Sequence, residues 1–205
     1  MTHSQAPLTL VVWSDYVCPF CYLEVPELDA LADRFGPQLS IKWRAFELRP
    51  APVPTLDPDG DYLHDIWARA VYPMARERDM TLRLPRLQPR SRLAHEAAKW
   101  AMDHAAFSTL HHELFRGFFE DSLDLASPDA LLDTARRLGL DEGSLSRHLA
   151  EGRYRDAVLK DQQDASYWGL NGVPAMLLLR EGEALDSIQG AQSRDHLIQT
   201  VARFI

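Results

Sequence analysis

The sequence predicts an α/β fold in which a small buried sheet is interrupted by a large all-helical insertion. Three observations carry that prediction. A strand-like apolar run, a helical stretch and an alternating second strand fill the first fifty residues, helical periodicity holds from Asp61 to about Gly169, and β-character returns at Ala175.

Leu8 to Trp13 (LTLVVW) is a continuous apolar, β-branched run, as expected of a strand buried on both faces. Ser14 to Val17 then lead into Cys18-Pro19-Phe20-Cys21. Beyond them Leu23, Leu28, Leu31, Ala32 and Phe35 recur at helical spacing until Gly36-Pro37 stops the pattern. Ser40 to Leu48 sets Ile41, Trp43 and Ala45 against Lys42 and Arg44 and reads as a second strand of a βαβ unit. Four prolines between Arg49 and Gly60 (Pro50, Pro52, Pro54 and Pro58) mark a connection.

In the helical stretch, Leu93, Ala97, Trp100 and Ala101 form one apolar stripe, and Leu110, Leu114, Phe115 and Phe118 form another. Ser127-Pro128 supplies an N-cap with proline at the first helical position, and Gly139 is the stop. Asp141 and Gly152 bracket a shorter helix, and a long one is expected from about Tyr154 to Trp168. Ala175 to Leu179 and Leu185 to Gln189 read as a hairpin about Glu181-Gly182-Glu183, followed by a closing helix from Arg194 to Phe204 capped by Ser193. The division that follows is a discontinuous α/β domain over residues 1–60 and 160–205 around a helical insertion domain over residues 61–159. Trp100, Phe107, Leu110, Phe115, Phe118 and Phe119 are expected to build the insertion's own core.

A net charge of −8 disfavours nucleic acid and anionic membranes, where binding depends on Lys and Arg. No stretch approaches the ~20 apolar residues that span a bilayer, and MTHSQAPLTLVVW lacks the basic start and apolar run of a secretory signal. The expected setting is therefore cytoplasmic. In that reducing compartment a close cysteine pair reads as catalytic or metal-binding rather than as a structural staple.

The cysteines fall on a strand-to-helix turn. Unpaired N–H groups and the helix dipole favour a thiolate there, which suits Cys18 as the nucleophile. Two intervening residues bring Cys21 back beside it, so Cys21 can resolve a mixed disulfide. Pro19 fits the first helical position because its missing N–H would be unpaired there. Zinc sites normally take four ligands, and no second Cys-X-X-Cys or compact histidine pair lies nearby, so no metal is expected. His104, His111 and His112 are expected at the surface, with His104 and His111 on one helix face. Among the acids, Asp15 is the candidate proton acceptor, whereas Glu24 and Glu47 are expected to be solvated or helix-N-terminal. No phosphate loop or dinucleotide fingerprint occurs, so no nucleotide cofactor is expected.

The segment from Ser14 to Tyr22 (SDYVCPFCY) resembles the active-site segment of the DsbA-like thioredoxin-fold oxidoreductases, specifically the FrnE-like branch. Residues 43–48 (WRAFEL), 91–97 (SRLAHEA), 114–119 (LFRGFF), 172–174 (GVP) and 190–192 (GAQ) are similar to that branch in sequence and order. The resemblance implies a thioredoxin-like fold split by the helical insertion, with the site in the groove between them. It also implies a cis Val173–Pro174 bond facing Cys18, with Pro19, Phe20, Val173 and Pro174 contacting an extended substrate.

Phe20 stands where tryptophan is more usual, and the histidine of the DsbA motif is absent, which implies a less oxidising pair than that of DsbA. Some members of the branch carry further cysteines toward the C-terminus. This chain has only two, so a second dithiol would belong to a partner. The implied substrate is a disulfide-containing protein or small thiol, with glutathione as a candidate co-substrate. Two alternatives stand beside this reading. One is a glutathione-dependent transferase or isomerase resembling kappa-class and hydroxychromene-carboxylate isomerase proteins, which usually place serine where Cys18 stands. The other is a redox-switched binding protein or chaperone.

Overall fold

The computed structural model describes residues 7–205. The first α/β unit is β1 (Leu8–Ser14), α1 (Pro19–Phe35) and β2 (Leu39–Ala45). The helical stretch follows as α2 (Asp61–Ile66), a π-helical turn (Trp67–Val71), α3 (Tyr72–Glu77), α4 (Arg92–Asp103), α5 (Phe107–Asp121), α6 (Pro128–Arg137), α7 (Glu142–Glu151) and α8 (Arg155–Tyr167). The chain closes with β3 (Ala175–Arg180), β4 (Glu183–Gln189) and α9 (Arg194–Ala202).

The four strands form one mixed sheet in the order β2-β1-β3-β4. β1 runs parallel to β2, with Leu8 opposite Leu39 and Ser14 opposite Ala45, and antiparallel to β3, with Trp13 opposite Ala175. β3 and β4 form a hairpin whose turn residues Glu181 and Gly182 both have positive φ, 52° and 90°, the backbone that matches the twist of the flanking strands. The thioredoxin-like α/β class read from the sequence is the one observed.

Alternation along β1 divides the core. Leu8, Leu10 and Val12 join Met176 and Leu178 against Leu28 and Leu31 of α1 and Leu197 and Val201 of α9. Val11 and Trp13 join Ala175 and Leu177 on the opposite face, where Ala165 of α8 and Leu170 cover them. Asp161 fixes α8 to the sheet end. Its carboxylate accepts from Ala45 N at 2.8 Å and from Arg44 Nη1 at 2.8 Å and pairs with Lys99, while its carbonyl oxygen accepts from Trp13 Nε1 at 2.9 Å.

β2 ends at Ala45 rather than at the Leu48 expected from its pattern. Its partner β1 ends at Ser14, so only Phe46 N finds a ladder acceptor, Ser14 O at 3.0 Å. Glu47 N and Leu48 N turn instead to side chains, those of Gln162 and Asp15.

The aromatic cluster also departs from expectation. Trp100, Leu110, Phe115, Phe118 and Phe119 do not form a core of the helical stretch alone but share one with Tyr16, Cys18, Cys21, Leu23 and Val25, and Phe107 packs at its margin. The cause is α1, which buries apolar residues on the side away from the sheet as well. Tyr22 lies nearly parallel to Phe115 and Phe119, at 10° and 8°, with ring centres 5.5 and 5.6 Å away. No helix among the described residues is long and apolar enough to cross a membrane.

Candidate active site

Cys18 is the N-cap residue of α1, with extended backbone (φ −94°, ψ 113°) and Pro19 immediately inside the helix. Its N–H donates to Asp15 O at 3.0 Å. Its carbonyl oxygen accepts from Cys21 N at 3.1 Å and Tyr22 N at 3.2 Å, so the two cysteines sit on one tight turn. Both are free thiols, and both are buried. The Cys18 thiol donates to Val173 O at 3.6 Å, a weak sulfur hydrogen bond. The Val173–Pro174 peptide is cis, with Pro174 buried and Val173 partly open. Pro19 and Phe20 are also partly open. Next to Val17, a groove of about 190 Å³ runs between Leu48, Arg49, Leu56, Tyr62 and Pro89.

Cys21 is the more enclosed thiol, at 1% exposure. Burial pushes its pKa well above the ordinary cysteine value, and the neighbouring Cys18 adds to the rise, while the Asp15 backbone and the Ser14 hydroxyl oppose it. Cys21 therefore holds its proton until a base removes it.

Asp15 is fully buried. Its Oδ2 accepts from Leu48 N at 2.7 Å, and its Oδ1 faces His95 Nε2 at 3.2 Å. The Tyr16 ring packs against His95 and Phe115, with centroids 5.0 and 4.8 Å away, and its hydroxyl bonds His111 Nδ1 at 2.9 Å. Burial holds the Tyr16 phenol far above its ordinary pKa, with the Asp15 charge adding to the rise. Burial likewise holds His111 well below the usual imidazole value, helped by His112 and His95, so its ring is neutral at pH 7.

Several expectations are corrected here. His111 is not a surface residue: it is buried against Trp43, with ring centres 4.2 Å apart, and against Phe107. His104 caps the C-terminal end of α4 while His111 lies on α5, so they share no helix face. His104 and His112 fit the surface reading, His104 exposed and His112 half-exposed beside Asp29 at 2.8 Å. Among the described residues no group of three or more His, Cys, Asp or Glu is arranged to hold a metal ion.

Glu24 and Glu47 are buried rather than solvated, because α3 and α4 cover the surfaces that carry them and bring arginines with them. Glu47 pairs with Arg92. Glu24 accepts from Gln192 N at 3.0 and 3.1 Å and from Arg78 Nη1 at 3.2 Å, yet burial outweighs these partners and lifts its carboxyl to about 7. Sequence reasoning missed His95, Ser14 and Arg78. The sign of His95 was a polar residue among Ala94, Ala97, Ala98 and Ala101 on the core side of α4.

With that geometry in hand, a family model described as the DSBA-like thioredoxin domain matches residues 9–202. The Bacillus subtilis protein YwbO is 30% identical over 148 residues, 71% of this chain and 73% of that protein. Among solved structures, SCO1869 from Streptomyces coelicolor superposes with a TM-score of 0.76 at 21% identity, over 96% of this chain and 89% of that one. The cytosolic disulfide reductase DsbM from Pseudomonas aeruginosa gives 0.73 at 17% identity, over 95% and 97%. A 2-hydroxychromene-2-carboxylate isomerase gives 0.75 at 19% identity, over 95% and 93%.

Proposed function

Because the chain belongs to the DSBA-like thioredoxin domain family, we propose that it is a thiol–disulfide oxidoreductase in which Cys18 attacks and Cys21 resolves. The observation that supports this most directly is the pair itself: two free thiols on the first turn of α1, with Cys18 at the N-cap beside Val173 O. In this reading the Cys18 thiolate attacks a substrate disulfide, forming a mixed disulfide and releasing one substrate thiolate. Cys21 then loses its proton and attacks the Cys18 sulfur. A Cys18–Cys21 disulfide forms as the Cys18–substrate bond breaks, and the second substrate thiolate leaves. The enzyme dithiol is oxidised by two electrons, the substrate disulfide is reduced, and an external thiol completes the cycle.

The substrate class is a protein or small-thiol disulfide. The groove from Val17 to Tyr62 offers apolar wall and one cation, Arg49, and in this reading the partly open Pro19, Phe20 and Val173, with Pro174, contact the substrate beside Cys18. Glutathione as co-substrate belongs to the same reading, in keeping with DsbM, whose structure is also described with GSH. So do a cytoplasmic setting and membership of the FrnE-like branch. The isomerase-like fold match keeps a glutathione-dependent isomerase as the second reading.

The test is a pair of variants assayed on a peptide disulfide. Cys18→Ser should abolish exchange, and Cys21→Ser should accumulate a mixed disulfide visible by mass. Turnover retained by Cys18→Ser would exclude the mechanism.

A further inference from the structure

The proposed chemistry leaves Cys21 with a proton and no assigned route for its departure, and a second small cavity lies where that route is needed. It opens between β1, β2, α4 and α5, lined by Ser14, Tyr16, Trp43, His95, Lys99 and His111, with room for about one water molecule. Two of its walls carry buried polar atoms without a hydrogen-bond partner, Ser14 Oγ and His111 Nε2. Unpartnered polar atoms facing a water-sized cavity are the usual setting of a structural water. Ser14 ends β1 as Cys21 stands in the first turn of α1, so its hydroxyl lies near the Cys21 thiol, short of a direct hydrogen bond, and favours the thiolate.

His95, on a third wall, is oriented by Asp15. An ionised carboxylate only accepts, so His95 Nε2 donates to Asp15 Oδ1, and the neutral ring then carries its lone pair on Nδ1. An Asp–His pair so arranged holds the ring in place and presents its free lone pair as a proton acceptor.

We propose that the Asp15–His95 pair takes the Cys21 proton through the Ser14 hydroxyl and one water in this cavity, so that His95 acts as a positioning residue for resolution. The Cys21 proton passes to Ser14 as Ser14 gives its own to the water and the water gives one to His95 Nδ1. The Cys21 electron pair then forms the bond to Cys18, the Cys18–substrate bond breaks, and its electrons leave with the substrate sulfur, which takes up a proton. The other charged or titratable groups around the cavity are Tyr16 from the β1–α1 turn, His111 from α5, Lys99 from α4 and Arg44 from β2, the last two held by Asp161 of α8. The pair Asp15–His95 alone combines a fixed tautomer with a wall of the cavity that also holds Ser14.

This inference rests on the Cys18–Cys21 reading, and one stopped-flow experiment separates the two. Reduced protein is mixed with one equivalent of the aromatic disulfide 5,5′-dithiobis(2-nitrobenzoate). The first thionitrobenzoate released reports attack by Cys18, and the second reports resolution by Cys21. His95→Gln, which keeps a donor for Asp15, and Ser14→Ala, which removes one oxygen, should each leave the first phase unchanged. Each should slow the second about 10- to 100-fold near pH 6.5, and the deficit should shrink as pH rises. A second phase unchanged in either variant, with Cys21→Ser lacking it, overturns the relay and leaves the cysteine mechanism standing. No second phase in the parent protein overturns the cysteine mechanism itself, and the relay with it.

Discussion

The Cys18 sulfur meets the backbone carbonyl oxygen of Val173 at 3.6 Å across 155 positions of sequence. The sheet explains the meeting. β1 and β3 are antiparallel neighbours with Trp13 opposite Ala175, so the residues leaving β1 and those entering β3 gather at one end. Placing a negative charge at 173 would therefore oppose a thiolate at 18. Val173→Asp should slow alkylation of Cys18 by iodoacetamide at pH 7 several-fold in a Cys21→Ser background, whereas Val173→Thr should leave it near the parent rate. Equal rates for the two variants would place the 173 side chain outside the reach of the sulfur.

Asp161 is the electrostatic anchor between α8, α4 and the end of β2, buried to 1% exposure. Asp161→Ala strands Lys99 and removes the acceptor for Ala45 N. The expected loss is about 3 kcal/mol, at the low end for a broken buried pair because Arg44 stays partly solvated. Lys99→Met should cost less, since Arg44 and the Ala45 N–H remain to satisfy the carboxylate. Urea unfolding midpoints check the order, and a larger loss for the lysine variant would contradict it.

Glu24 carries a pH signature opposite to that of an ordinary surface carboxylate. Its carboxyl is lifted to about 7 in the fold, against about 4.3 in an unfolded chain. Between those values the folded state holds a proton that the unfolded state has released, so stability from this group is complete at low pH and is lost as pH rises through the folded value. Glu24→Gln cannot titrate. The stability of the variant relative to the parent should therefore climb between about pH 5 and pH 8, as read by urea unfolding at each pH. A relative stability that falls over that range would contradict the raised carboxyl.

Ser127 caps α6 by accepting from Ala130 N at 3.2 Å. Ser127→Ala should lower stability by about 1 kcal/mol and leave disulfide exchange untouched, because the cap lies on a helix far from the cysteines in the chain. Loss of exchange in this variant would show that the helical segments couple to the site more tightly than their packing indicates.

The elements most legible in the sequence were those whose signal is local. The LTLVVW run, the Ser127 and Ser193 caps and the Glu181-Gly182 turn each carry their own chemistry, and each lies where its pattern placed it. The Cys-Pro-Phe-Cys turn was legible for the same reason. What escaped was pairing at long range. Glu24, Glu47 and His111 are polar residues whose burial depends on Arg78, Arg92 and Tyr16, residues 45 to 95 positions away in the chain. Periodicity within one helix contains nothing about such partners. His95 was the intermediate case, a histidine on an alanine-lined helix face whose partner Asp15 lies 80 positions earlier.

The central claim is that Cys18 and Cys21 act as one two-electron pair. Its most direct test is equilibration of the purified protein in graded glutathione buffers, followed by acid quench, alkylation and mass analysis of the free thiols. A single reversible transition is expected in which both thiols are lost together as an intramolecular disulfide, with a midpoint more reducing than that of DsbA. A stable single glutathione adduct on Cys18, or no transition at all, would contradict it and favour the glutathione-dependent isomerase reading.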